Sequence, residues 1–280
     1  MKQRNLIVSL AAALALAACA TVPPQSQQLA ANFKAMQPTS GLAKEMTMGE
    51  AERIRDGLVA ELAASHGKVV GYKAGLTNPA VQKRFGTTSP VRGVLLEKML
   101  LDDGAEVPAK FGAIPFFEAD IVAVVKDEGI NQAKTPAEVI KHLSSIRPFI
   151  ELPDLVTAKE QPLSAAIITS FNVGARLGVL GKPIAATPEL ADALGKMTVV
   201  MRDQDGKELA RVPGAAILGH PLNAVVWLAQ DLAKSGGRLR AGDILSLGSF
   251  TAPNFTKPGT KVTVTYEGLP GNPTVSARFK

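Results

Sequence analysis

Apolar positions recur along the chain with two different periods, and these mark its elements. Ile54, Leu58 and Leu62 recur every four residues, so Met48 to Ala64 reads as a helix that His66-Gly67 ends, with His66 a helix C-terminal residue. Asn78 to Phe85 reads as a second helix, N-capped by Asn78 with Pro79 at its first position. His220 to Lys234 carries the strongest helical pattern. Leu222, Val225, Val226, Ala229, Leu232 and Ala233 form one stripe, Trp227 and Leu228 widen it, and Gly236-Gly237 closes it. Strand-like runs are Val69 to Thr77, Phe116 to Val125, Pro148 to Ile150, Ile244 to Leu247, Thr260 to Tyr266 and Thr274 to Phe279. Val199–Arg202 and Leu209–Val212 flank Asp203-Gln204-Asp205-Gly206, a hairpin signal. The class is α+β, richer in strands towards the C-terminal half.

The N-terminus follows a different logic. Met1-Lys2-Gln3-Arg4-Asn5 is basic, and the apolar run Leu6 to Ala18 after it falls short of the roughly 20 residues that span a bilayer. It fits a signal peptide over 1–18. Leu16-Ala17-Ala18-Cys19 resembles a bacterial lipobox, and Cys19 is the only cysteine in the chain. That resemblance implies a lipid anchor on Cys19. With Ala20 rather than Asp after the cysteine, it implies a place in the bacterial cell envelope, on the outer membrane facing the periplasm. Thr21 to Gln28 shows no apolar periodicity and reads as an extended tether. The expected plan is therefore 1–18 signal peptide, 19–47 anchor, tether and lead-in, and 48–280 one functional domain.

Composition adds one exclusion. The 280 residues are 46% hydrophobic and 20% charged, which suits a globular chain. The net charge of +6 includes Lys2 and Arg4, and without them 29 basic residues face 25 acidic ones, leaving +4. Those basic residues are scattered and aromatics make up 5%, so a nucleic-acid surface is not expected.

The chemistry concentrates in Phe116-Phe117-Glu118-Ala119-Asp120-Ile121-Val122. In a strand Glu118 and Asp120 share a face, and two like charges on an apolar surface are costly unless a cation neutralises them. The bland alternative is a wet strand edge. A third carboxylate, Glu151, follows Pro148-Phe149-Ile150 in a comparable setting, and three carboxylates without nearby Cys or His suit a hard cation such as Mg²⁺, with Mn²⁺ or Ca²⁺ as further candidates. Lys73 lies in the apolar, glycine-flanked Gly71-Tyr72-Lys73-Ala74-Gly75. It reads either as a surface lysine with a buried stem or as a cation placed to stabilise an enolate or carboxylate.

Five motifs then occur in order: Gly71-Tyr72-Lys73-Ala74-Gly75-Leu76-Thr77, Glu118-Ala119-Asp120, Ile150-Glu151, the run from Leu218-Gly219-His220-Pro221 to Ala229, and Ala241-Gly242-Asp243 through Phe250. Together they resemble the 2-keto-4-pentenoate hydratase and 4-oxalocrotonate decarboxylase branch of the fumarylacetoacetate hydrolase superfamily, over roughly Met48 to the C-terminus. The resemblance implies a mixed β-roll core with peripheral helices, a homo-oligomer, and a small 2-oxo acid substrate. It also implies a divalent metal, Mg²⁺ first, held by Glu118, Asp120 and Glu151, with Lys73 catalytic and Lys73, Asn172 and Ser249 on the substrate.

Three positions depart from the branch. Asp120 stands where Glu is usual. Val91 stands where Asp is frequent, and Phe171 where an Asp-Asn pair would place a second acid. Both of the latter remove groups able to move protons. The expectation is a metal-dependent hydratase acting on 2-hydroxypenta-2,4-dienoate (2-keto-4-pentenoate) or a related 2-oxo acid. The alternatives are a decarboxylase, tautomerase or C–C hydrolase on such an acid, and a lipid-anchored binding protein without turnover.

Overall fold

A computed structural model describes residues 22–43 and 45–280. The expected signal peptide and Cys19 lie outside the described residues. In chain order the elements are α1 (Pro24–Ala35), α2 (Met48–His66), β1 (Val69–Gly75), α3 (Pro79–Arg84), β2 (Val91–Leu96), β3 (Leu100–Asp102), β4 (Ala105–Val107), β5 (Phe116–Val125), α4 (Pro136–Val139), β6 (Leu143–Leu152) and α5 (Ala165–Ser170). They continue with β7 (Leu177–Leu180), β8 (Ile184–Ala185), α6 (Pro188–Lys196), β9 (Thr198–Asp203), β10 (Glu208–Pro213), α7 (Leu222–Lys234), β11 (Ile244–Ser246), β12 (Asn254–Phe255), β13 (Lys261–Glu267) and β14 (Thr274–Phe279).

The strands form two mixed sheets. The larger runs β2-β1-β11-β5-β6-β7-β3, with β12 on β5 and β8 on β6, and the smaller runs β10-β9-β13-β14-β4. One face of each meets in a shared core. Ala119, Ile121 and Ala123 of β5 lie in one cluster with Val262, Val264 and Tyr266 of β13 and with Leu222, Val225 and Leu228 of α7. The alternation expected along β13 is present, since those three side chains are fully buried. A second cluster gathers α1, α2 and α5 over β2 through Leu29, Phe33, Ile54, Leu58, Leu62, Val94 and Ile167. Two mixed sheets around one core, with helices outside, make the expected mixed β-roll.

α2 is closed at its start by a capping box. Thr47 Oγ1 accepts from Glu50 N, and the Glu50 carboxylate accepts from Thr47 N. The tether reading of Thr21 to Gln28 is overturned, because α1 occupies most of it. Ser26, Leu29, Ala30 and Phe33 share one helical face and are buried on α2. Ser26 Oγ donates to Ile54 O at 2.8 Å, and a Cβ at Gly57 would come within 2.5 Å of that hydroxyl, so the glycine lets the two helices approach. The Arg176 guanidinium covers the Phe33 ring at 4.1 Å and also donates to Phe33 O at 3.0 Å. The glutamines between these contacts hid the period.

α7 starts two residues later than its pattern suggested. His220 lies before it as a cap: Nδ1 accepts from Leu222 N at 3.1 Å and Nε2 faces Ala191 O at 2.8 Å. Ala233, expected on the apolar stripe, is exposed, and Ala224, left off it, is buried instead, while Leu228 is buried as expected.

Candidate metal centre

Strand alternation decides which side chains meet. The odd residues of β5 enter the core between the sheets, which leaves Phe116, Glu118, Asp120 and Val122 on the opposite face. β5 pairs antiparallel with β6 so that Glu118 lies opposite Glu151 and Asp120 opposite Phe149. On the other side β11 sets Ser246 opposite Val122, and β1 sets Lys73 beside Ser246. Lys73, Ser246, Asp120, Glu118 and Glu151 thus lie on four adjacent strands.

Lys73 is 3% exposed, which removes the surface-lysine alternative. Gly93, its register partner on β2, makes room for it, because a Cβ there would lie 2.8 Å from Lys73 Cγ. The ammonium pairs with the Glu151 carboxylate and donates to Val173 O at 2.9 Å. That carbonyl is presented by a turn in which Asn172 and Val173 have φ of 59° and 54°, a left-handed conformation costly for a β-branched residue. The Asn172 amide holds the turn in place. Its Oδ1 accepts from Val94 N at 2.7 Å and its Nδ2 donates to Val94 O at 2.9 Å. Asn172, expected on the substrate, is therefore taken up by β2 and positions the partner of Lys73. The Ser249 hydroxyl donates to Thr251 O at 2.8 Å and lies close enough to Glu118 to favour its ionised form.

Asp120 is fully buried. Its Oδ1 accepts from Ile121 N at 2.5 Å and Gly248 N at 3.1 Å, and its Oδ2 accepts from Ser246 Oγ at 2.5 Å. Its carbonyl accepts from the hydroxyl of Tyr266, which also meets Phe149 N at 3.1 Å and so ties β13 to the β5–β6 pair. Gly248 has φ +116° and lies against Thr77, so only a glycine brings this N–H to Asp120. Motif reading quoted Ser246 and Gly248 without giving them a role, and Tyr266 passed as one more apolar position of β13. The one available signal was that Gly248 follows a strand.

Burial pushes the Glu118 and Asp120 carboxyls up to about 7, against the opposing pull of Lys73. Burial also draws the Lys73 ammonium down to about 8, although Glu118 and Asp120 act the other way. Once ionised, three carboxylates against one ammonium leave two negative charges uncompensated in a largely buried setting, and all the available donors are oxygens. That deficit and donor set fit a divalent hard cation. As the side chains stand, no three His, Cys, Asp or Glu groups among the described residues converge on one point. Glu151 is turned to Lys73, and Asp120 to β11.

The replaced acids mark out an apolar wall. Val91 pairs with Gly75, two residues from Lys73 and on its face, and is 3% exposed. Phe171 is 4% exposed in the same cluster, and Val173 packs over Gly75.

No family model matches the chain. The 2-keto-4-pentenoate hydratase of Burkholderia vietnamiensis (strain G4) is 34% identical over 182 residues, which is 65% of this chain and 68% of that one. The 2-keto-4-pentenoate hydratase of Paraburkholderia phymatum is 32% identical over 210 residues, 75% of this chain and 79% of that one. The 4-oxalocrotonate decarboxylase from Pseudomonas putida G7, solved with magnesium and adipate, superposes with a TM-score of 0.81 at 26% identity, covering 91% of this chain and 96% of that one. A fumarylpyruvate hydrolase from Pseudomonas aeruginosa, solved with Mn²⁺ and pyruvate, shares the fold at 13% identity and a TM-score of 0.55. The chain belongs to the family of the 2-keto-4-pentenoate hydratases and 4-oxalocrotonate decarboxylases.

Proposed function

We propose that this protein is a metal-dependent hydro-lyase that adds water to 2-hydroxypenta-2,4-dienoate or a related 2-oxo acid. The observation that carries the reading is the row of half-buried Glu118 with buried Asp120, Glu151 and Lys73 in a chain of this family. A divalent cation held by Glu118, Asp120 and Glu151 would supply Lewis-acid polarisation and a template for the 2-oxo carboxylate. Lys73 brings a fixed positive charge to the oxygen on which negative charge grows as the dienol becomes the conjugated ketone. Burial lowers the cost of giving up its proton. The Ser249 hydroxyl beside Glu118 would reach the substrate carboxylate by turning from Thr251 O. Val91, Phe171 and Val173 around the Lys73 strand suit an uncharged vinyl tail better than a second carboxylate. That preference favours hydration of a monocarboxylate over decarboxylation of a dicarboxylate.

The test incubates 2-oxo and 2-hydroxydienoic acids with the protein and Mg²⁺, following loss of dienol absorbance and product mass. A product heavier by one water supports the reading, and release of CO₂ replaces it with decarboxylation. The absence of acids at positions 91 and 171 favours one second reading, a binding protein without turnover. Tight binding of oxalate or pyruvate with no product would establish it.

The protein is further read as a homo-oligomer anchored to the outer membrane through Cys19. Four residues, Ala20 to Pro23, separate that cysteine from α1, so at roughly 3.5 Å per step the start of α1 sits within about 18 Å of the anchor. Incorporation of labelled fatty acid, lost in Cys19→Ala, checks the anchor, and light scattering after size exclusion checks the assembly. Unlabelled wild-type protein in the soluble fraction at the precursor mass refutes the first, and a monomer the second.

A further inference from the structure

Asp120 has the shortest side chain of the three carboxylates and is the one held by backbone N–H groups. A carboxylate oxygen offers two lone pairs. Oδ1 uses both, on Ile121 N and Gly248 N, whereas Oδ2 accepts a single bond, from Ser246 Oγ at 2.5 Å. One lone pair on Oδ2 is left for a ligand. Ser246 helps to fix where that lone pair points, because rotation about Cβ–Cγ moves both oxygens together and its bond at Oδ2 adds a third restraint to the two at Oδ1. The serine is itself immobile: it is 1% exposed, on the strand that pairs with Lys73 on one side and with β5 on the other. An alanine would leave the carboxylate held through Oδ1 alone and Oδ2 without its donor.

We propose that Ser246 is a positioning residue of the carboxylate centre, holding through its hydroxyl the oxygen of Asp120 that keeps a lone pair for the cation. This rests on reading Glu118, Asp120 and Glu151 as the cation's ligands. Ser246 acts through Asp120 and touches neither substrate nor metal. A hydrogen bond to a charged group is strong enough that losing it should weaken cation binding by about 10- to 100-fold.

The experiment is calorimetric titration of Mn²⁺ into the wild type and the variants Ser246→Ala, Ser246→Thr, Glu118→Gln and Glu151→Gln, with melting temperatures taken without metal. The expected result is weakening of at least roughly tenfold in Ser246→Ala, with Ser246→Thr, which keeps the hydroxyl, close to the wild type. Wild-type affinity in Ser246→Ala overturns the proposal, even if its melting temperature falls, because the serine would then be merely structural. Equal weakening in the Ala and Thr variants overturns it too, by pointing to packing. If Ser246→Ala does not fold, Ser246→Cys keeps the volume with a much weaker donor and is read by the same two outcomes. Wild-type affinity in both glutamine variants removes the ligand assignment and this proposal with it. Lost affinity there with normal binding in Ser246→Ala removes this proposal alone.

Discussion

Lys73 on β1 and Glu151 on β6 form a buried ion pair across two intervening strands, β11 and β5. The ammonium therefore holds a residue assigned to the cation. Removing it should have opposite effects on binding and on turnover. Lys73→Met keeps most of the stem's packing, frees Glu151 and removes a competing positive charge, so Mg²⁺ should bind more tightly. Turnover should drop by roughly 10²–10³, the usual worth of one well-placed charge on a developing oxyanion. Titration alongside steady-state kinetics checks both directions. Unchanged turnover would make Lys73 structural.

Each of the three carboxylates should be needed for the cation. Glu118→Ala, Asp120→Ala and Glu151→Ala should each weaken Mg²⁺ binding, since two anionic groups hold a hard cation poorly. Glu128→Ala, an exposed control that pairs with Arg238 at 3.6 Å, should not. Mg²⁺ titrations indistinguishable from wild type in all three variants would remove the site.

The pH dependence follows from burial. Glu118 and Asp120 are raised to about 7 from their usual 4.5 and 3.8, so between those values the folded chain keeps protons that the unfolded chain has lost. Without metal, stability should fall as pH rises through that window. Lys73 is lowered from 10.5 to about 8, so above about 8 the unfolded chain binds the extra proton and stability rises again. A cation needs the carboxylates ionised, so Mg²⁺ should raise the melting temperature more at pH 7.5 than at pH 5.5. Thermal melts with and without Mg²⁺ at the two pH values test this, and an equal shift at both contradicts it.

Gly93→Ala probes the space kept for Lys73. The new Cβ would lie 2.8 Å from both Lys73 Cγ and Asn172 O, and the second of these is backbone that cannot swing away. Overpacking of this kind costs about 1–3 kcal/mol. Activity should fall further than stability alone explains, because the ammonium is displaced. Kinetics at a temperature well below the melting point separate the two effects.

α1 should be part of the domain. Phe33 is 5% exposed and lies under Arg176, so Phe33→Ala should cost about 3–5 kcal/mol. Urea denaturation measures it, and a loss under ~0.5 kcal/mol, the range of ordinary surface substitutions, would restore the tether reading.

Much of the fold and the carboxylate set follow from the sequence alone, because period is a local property. The alternation of Phe116 to Val125 puts Glu118 and Asp120 on one face whatever lies beyond them, and the four-residue period of α2 and the alternation of β13 are local in the same way. The motif order carried the family and, with it, the roles proposed for Lys73 and Glu151. What the sequence could not place were relationships set by register between strands distant in the chain. Glu151 faces Glu118, Ser246 meets Asp120 126 residues away, and Tyr266 reaches β5 from the other sheet only after the strands pair. Asn172 illustrates the same limit: its amide bonds β2, and no local signal shows that. α1 needed α2 as well, since a short, glutamine-rich helix gains its stability from the face it buries. Local period determined which side chains could share a face, and tertiary pairing decided which of them meet, because contact needs both strands while alternation needs only one.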